Sequence, residues 1–185
     1  MNEKKISTQM LVKMALMCAV SLVMLLVIRV PWPAAPFLVY DPADVPIYIT
    51  SFALGPWAGL VVTFVVSFIQ AFIMGGDGIY GFVMHFVATG IVCVVIGQIY
   101  KHHKTKKNAI IALAIGIVVE VLIMCVLNIF VTSAYMGVGR EAIMAMLPTV
   151  IIPFNLVKTG VNSLLTFILY KKISGILHNN NGSKQ

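Results

Sequence analysis

The chain has 185 residues, of which 60% are hydrophobic and 10% charged, with a formal net charge of +7. A soluble domain carries roughly a quarter charged residues, so this composition excludes one and places a single domain in lipid. The basic residues lie between apolar runs rather than on one soluble face, which excludes a nucleic-acid binder and reads as membrane orientation.

Residues 1–9 form a polar leader with Lys4 and Lys5. Residues 10–30 follow as a mainly apolar run, long enough to cross ~30 Å of hydrocarbon. The run exceeds an ordinary signal-peptide core and ends at Arg29 rather than a small-residue cleavage site, so it is read as helix 1. Its Ala15 and Ala19 are four apart and share a face where another helix can come close. Ordinary packing within a bundle fits the same spacing.

Residues 31–43 make the first loop: Pro31, Pro33, Pro36 and Pro42 forbid a continuous helix, and Trp32, Phe37 and Tyr40 make it sticky. Asp41 and Asp44 bracket Pro42. Asp44 is suited to cap helix 2, expected over 44–54, with Pro46 in the first turn where no internal hydrogen bond is lost. That helix is too short to span a bilayer, and Gly55-Pro56 separates it from helix 3, expected over 57–74. An acidic start to a broken helix at a membrane surface reads as the lid and floor of a binding site. Gly75-Gly76-Asp77-Gly78 is a tight turn by composition. Helix 4 is expected over 79–100, then the basic run KHHKTKK at 101–107, and helix 5 over 108–134. A second polar loop covers 135–147, followed by helix 6 over 149–170, Lys171, Lys172 and a polar tail. Residues 1–178 are read as one integral membrane domain and 179–185 as the tail.

The fold expected is therefore all-α, a bundle of six transmembrane helices. The leader, the 101–107 run and the 171–172 pair fall on one side, which puts both termini in the cytoplasm. Cys18, Cys93 and Cys125 lie inside apolar runs without C-x-x-C spacing and read as small buried hydrophobes rather than metal or redox ligands. Asp41 and Asp44 form a weak metal pattern at best, with Asp77 and Glu141 as the plausible additions.

Polar groups at membrane depth are costly and need a reason. Asn155, Lys158 and Asn162 on helix 6 are spaced by three and four, so they share one inward face. Helix 5 carries Glu120 and Asn128, also on roughly one face. Counting ~1.5 Å per residue brings Lys158 and Glu120 to similar depth. Two readings are open: a buried Glu120–Lys158 pair, or an outward pocket in which Lys158, Asn155 and Asn128 donate to a polar ligand. His85 on helix 4 reads as a hydrogen-bonded core histidine before a proton relay or ligand contact. There is no Walker A sequence, nucleophile elbow or H-E-x-x-H, hence no visible means of hydrolysing ATP.

Three segments carry a resemblance: FLVYDPADVPIYITSFALGPWAGL, GDGIYGFVMHFVATG and IIPFNLVKTGVNS. Together they resemble the substrate-binding S components of energy-coupling-factor (ECF) transporters, most closely the riboflavin-specific type, over about 15–172. The resemblance implies six membrane helices and no enzymatic activity. It implies a cell-membrane protein that binds a vitamin from outside and docks on a transmembrane coupling protein driven by two cytoplasmic ATPase subunits. Riboflavin would be cargo, and no cofactor is implied. Ala15 and Ala19 match the docking pair. Phe37, Leu38 and Tyr40 match the loop that closes over the ligand, and Asn128, Asn155 and Lys158 match the groups that bond the flavin ring. Asp44 belongs to the family motif and is counted with the ligand-binding residues. A flat isoalloxazine wants Trp32, Phe37 or Tyr40 against it and N–H donors at its dione edge. The competing readings are an S component for another vitamin and a stand-alone proton-coupled transporter using Glu120 or Lys158. A membrane enzyme using Asp41 and Asp44 is the third.

Overall fold

The computed structural model describes residues 7–178, so the leader lysines and the tail at 179–185 lie outside the described residues. Helix α1 spans Thr8–Val27, capped by Ser7, whose Oγ accepts from the Met10 amide at 3.2 Å. Its buried residues, Met14, Met17, Ser21 and Leu25, step by three and four and so form one stripe. Leu16, Val20, Val23 and Leu26 point outward. Outward-facing aliphatic side chains fit a hydrocarbon solvent.

The expected first loop is instead a two-stranded antiparallel hairpin. Strand β1 is Val30–Trp32 and β2 is Ala35–Tyr40, with Val30 opposite Tyr40 and an irregularity between Pro31 and Trp32. Proline is tolerated on a strand that has no further neighbour, because its missing N–H leaves no ladder bond unmade.

Helix α2, Asp44–Leu54, is buried continuously from Asp44 to Phe52. At ~1.5 Å per residue it reaches only about half way through a bilayer core. It packs against α1, α3, α4 and the last helix, so it occupies the middle of the bundle. Gly55 then turns the chain at φ 100°, a conformation that L side chains rarely adopt, and α3 (Pro56–Phe72) starts with proline in its first turn.

Helix α4 is Gly78–His102 and α5 is Lys106–Met136, joined across the basic segment. The last helix, α6, runs over 140–178. Thus the described residues hold six helices, of which α1, α4, α5 and α6 are long and apolar enough to cross a membrane and α2 and α3 are shorter. Two departures from the sequence reading concern the ends of α5 and α6. The second loop shrinks to Gly137–Gly139, because Arg140–Met146 is already helical. A π-type turn at Leu147–Ile151 has Pro148 near its start and carries the helix through that residue. A second π-type turn, Asn128–Thr132, interrupts α5. Such wide turns concentrate at functional sites.

Two apolar clusters result. The larger joins α1 to α6 around Tyr48, Phe52, Val62 and Ile96, and includes buried Cys93. The smaller is Ala35, Leu38, Ile143, Ile151 and Phe154, where the hairpin sits on the start of α6. Trp32 meets the Phe154 ring edge-on at 5.6 Å between centroids. All three cysteines are free.

Candidate functional site

A cavity of about 380 Å³ lies between the hairpin and the ends of α2 to α6. That falls within the range of small-molecule sites. Phe37 and Leu38 form its hairpin side; Asn128, Asn155 and Lys158 form its α5–α6 wall; Asp44 and Glu120 lie on its floor. Six of the seven residues expected to bind ligand therefore meet in one place. Tyr40 does not. It packs beside the small cluster, behind the hairpin. Burial, then the neighbouring Asp41 carboxylate, raises its hydroxyl pKa, so it stays protonated. Trp32 is likewise engaged with Phe154 rather than the cavity.

The floor is held by a polar network centred on α2. The Asp44 side chain does not cap its helix, contrary to the sequence reading, and no side chain caps that end. Instead Oδ1 accepts from His85 Nε2 at 2.9 Å and Thr89 Oγ1 at 3.1 Å, while Oδ2 accepts from Asn162 Nδ2 at 3.1 Å. A proton on Nε2 satisfies this bond, and Nδ1 lies 2.8 Å from Ser67 Oγ. The capping expectation failed because three tertiary donors from two helices, α4 and α6, converge on the carboxylate, and an interior carboxylate needs those bonds more than the helix needs a cap. His85 is thus hydrogen-bonded at both ring nitrogens, as expected, but it also lines the cavity rather than lying wholly in the core.

Asp41 ties the root of the hairpin down. Its Oδ1 accepts from the Ala43 amide at 3.1 Å, its Oδ2 from Lys158 Nζ at 3.0 Å, and its carbonyl from Asn162 Nδ2 at 3.1 Å. Ser21 Oγ of α1 donates to the Ala43 carbonyl next to it. The proposed Glu120–Lys158 pair is overturned: Lys158 pairs with Asp41, and Glu120 Oε2 accepts from Tyr48 at 2.6 Å. Depth counting brought the two side chains to one level, and both line the cavity. It could not show that the segment leading into α2 offers Asp41 to Lys158 while α2 itself offers Tyr48 to Glu120.

The two asparagines are poised alike. Asn128 Nδ2 donates to the Met124 carbonyl at 2.8 Å, and Asn155 Nδ2 to the Ile151 carbonyl at 2.8 Å. Thr132 Oγ1 donates to Asn128 Oδ1 at 2.9 Å. Each Nδ2 carries two hydrogens, so one remains for a ligand, and the Lys158 ammonium keeps two beyond its bond to Asp41. The wall therefore offers fixed N–H donors, suited to carbonyl acceptors. Sequence reasoning missed Met84, Met124, Phe154 and Gln70 on the lining. The first three look like ordinary core residues in a chain this apolar.

Ala15 and Ala19 do not line this cavity. Both are exposed and border a shallow apolar groove of about 410 Å³ between α1 and α3, with Leu11, Leu22, Val61 and Val65.

Residues 9–170 match the family described as ECF transporter, substrate-specific component. The chain is 28% identical to the riboflavin transporter RibU of Staphylococcus aureus (strain TCH60) over 174 residues, covering 90% of this chain and 91% of the relative. It is 25% identical to the riboflavin transporter FmnP of Bacillus subtilis (strain 168), covering 88% and 90%. A solved structure reported as "Structure and mechanism of the S component of a bacterial ECF transporter" superposes with a TM-score of 0.78 at 28% identity, covering 91% of this chain and 97% of that one.

Proposed function

This chain belongs to the substrate-specific (S) components of ECF transporters, and from that premise we propose that its cargo is riboflavin. It is a multi-pass cell-membrane transport component and not an enzyme. The observation that carries the substrate reading is the pairing of walls in one cavity. Lys158, Asn128 and Asn155 present N–H donors from α5 and α6, while Phe37 and Leu38 lie across from them on the hairpin. A flat apolar ring with a carbonyl-rich edge fits that division. The relatives named riboflavin transporters support the same choice.

In this reading the hairpin end faces outward, both termini are cytoplasmic, and the basic turn between α4 and α5 lies inside, as the lysine distribution favours. The hairpin is the lid. The groove at Ala15 and Ala19 is the face that meets the transmembrane coupling protein of the ECF module, whose two ATPase subunits supply the energy.

Titration of the purified protein with riboflavin, followed by quenching of flavin fluorescence, tests the substrate. Saturable quenching at a 1:1 ratio is expected, and its absence removes riboflavin. Vesicles carrying this chain alone should bind the vitamin without accumulating it. Uphill accumulation under a proton gradient would instead establish a stand-alone transporter.

A further inference from the structure

The cavity has a second polar wall that the donor set does not use. Gln70 stands in the last turns of α3 and lines the cavity together with Asp77 and Tyr80 from the start of α4. Its Oε1 is sealed from solvent and has no hydrogen-bond partner among the described residues. The backbone behind it is fixed: the Gly76 amide donates to the Gln70 carbonyl at 3.0 Å, and a Cβ on Gly76 would lie 2.7 Å from that oxygen. Glycine at 76 thus permits the close approach that holds Gln70 at the cavity wall.

An unbonded amide oxygen at membrane depth is costly in the empty protein. Exchange of Oε1 and Nε2 by a half-turn changes the shape little, so the amide can present an acceptor or a donor to the cavity. A hydroxyl, which donates and accepts, matches either orientation. Asp77 is already engaged, accepting from Tyr135 Oη at 3.0 Å. The α5–α6 wall, by contrast, offers N–H groups suited to carbonyls.

We infer that the α3–α4 wall receives the hydroxylated side chain of the ligand, with Gln70 as its contact, while the ring edge faces α5 and α6. The assignment rests on the flavin reading and adds an orientation to it. Gln70 is then a specificity residue: it favours a flavin that carries a polyol chain over one that lacks it.

The test compares riboflavin with lumiflavin, which keeps the ring and replaces the polyol chain by a methyl group, in wild type and Gln70→Met. Methionine conserves length and volume but removes the amide. Riboflavin should weaken roughly 3- to 10-fold, the equivalent of one neutral hydrogen bond, with lumiflavin affinity unchanged. Unchanged lumiflavin binding also reports an intact fold. Thermal stability of the ligand-free variant should equal or exceed wild type, since an unsatisfied polar group has gone. Unaltered riboflavin affinity in Gln70→Met, or equal loss for both flavins, overturns the orientation while leaving riboflavin as the cargo. Failure of wild type to bind either flavin overturns both.

Discussion

Helices α1 and α2 are neighbours in the bundle with opposite surroundings. α1 buries one stripe and turns a full aliphatic face outward. α2 is shorter, buried over nine consecutive residues, and carries Asp44, Tyr48, Thr50 and Ser51 in that stretch. Each of those four polar side chains is bonded: Asp44 and Tyr48 as above, Thr50 to the Pro46 carbonyl at 2.8 Å, and Ser51 to the Cys93 carbonyl at 2.5 Å. Thr50 is satisfied within its own helix, but lipid could satisfy none of the other three, so Asp44, Tyr48 and Ser51 force α2 to the centre. Nothing comparable constrains the outward face of α1, which is free to meet lipid or a second protein. In the proposed reading, binding and docking fall to different helices.

The severest way to break this contrast is Asp44→Leu. It removes the acceptor for His85, Thr89 and Asn162 at once, in a site where the carboxylate is 1% exposed. Removing one member of a buried charged network costs ~3–5 kcal/mol. Thermal unfolding in detergent should show a large drop, or no folded protein should be recovered. A melting temperature equal to wild type would mean that the network does not hold α2 in place.

Lys158→Ala is the next largest. It removes a charged donor from the cavity and strands Asp41. Riboflavin should weaken roughly 10- to 150-fold, as expected for a charged hydrogen bond of ~1.5–3 kcal/mol. Stability should also fall. The double variant Asp41→Asn with Lys158→Ala separates the two effects: stability should return while affinity stays low. Recovery of affinity in the double variant would make Lys158 a partner of Asp41 and nothing more.

A subtler effect concerns the hairpin, which unlike α2 is joined to the bundle chiefly by the small cluster around Leu38 and by Asp41 at its root. Riboflavin should slow amide hydrogen exchange across 30–40 and leave α2, already buried, unchanged. Equal protection of 30–40 with and without the vitamin would argue against a lid.

Much of this was legible in the chain, for physical reasons that also mark where legibility ends. Apolar runs near twenty residues give α1, α4 and α5 closely, because the bilayer sets their length. The spacing of Asn155, Lys158 and Asn162 gives the inward face of α6 for the same reason that lipid cannot solvate it. Partners were harder. Asp44 has the features of an N-cap and Glu120 those of an ion-pair partner for Lys158, since local sequence and depth are all that one strand of text contains. Their observed bonds join residues 41 to 118 positions apart. The polar residues of 135–147 read as a loop, whereas a π-type turn lets α6 begin at Arg140. Gln70 left no signal, because its missing partner is visible only once the cavity is built.

The last prediction has the smallest effect on the isolated chain. Ala15 and Ala19 are exposed on α1, and the groove they border contains no hydrogen-bonding network to disturb. Ala15→Trp should therefore leave riboflavin affinity and thermal stability near wild type, because it adds bulk to a face that the bundle does not use. If that face is where the coupling protein approaches, small residues are needed there for close helix packing, and an indole in their place should prevent assembly. Co-purification with the ECF module, with flavin bound throughout, reads both halves together. Loss of riboflavin binding alongside loss of assembly would mean that α1 is as much a part of the bundle interior as α2. Normal assembly of the tryptophan variant would move the docking face elsewhere on the molecule.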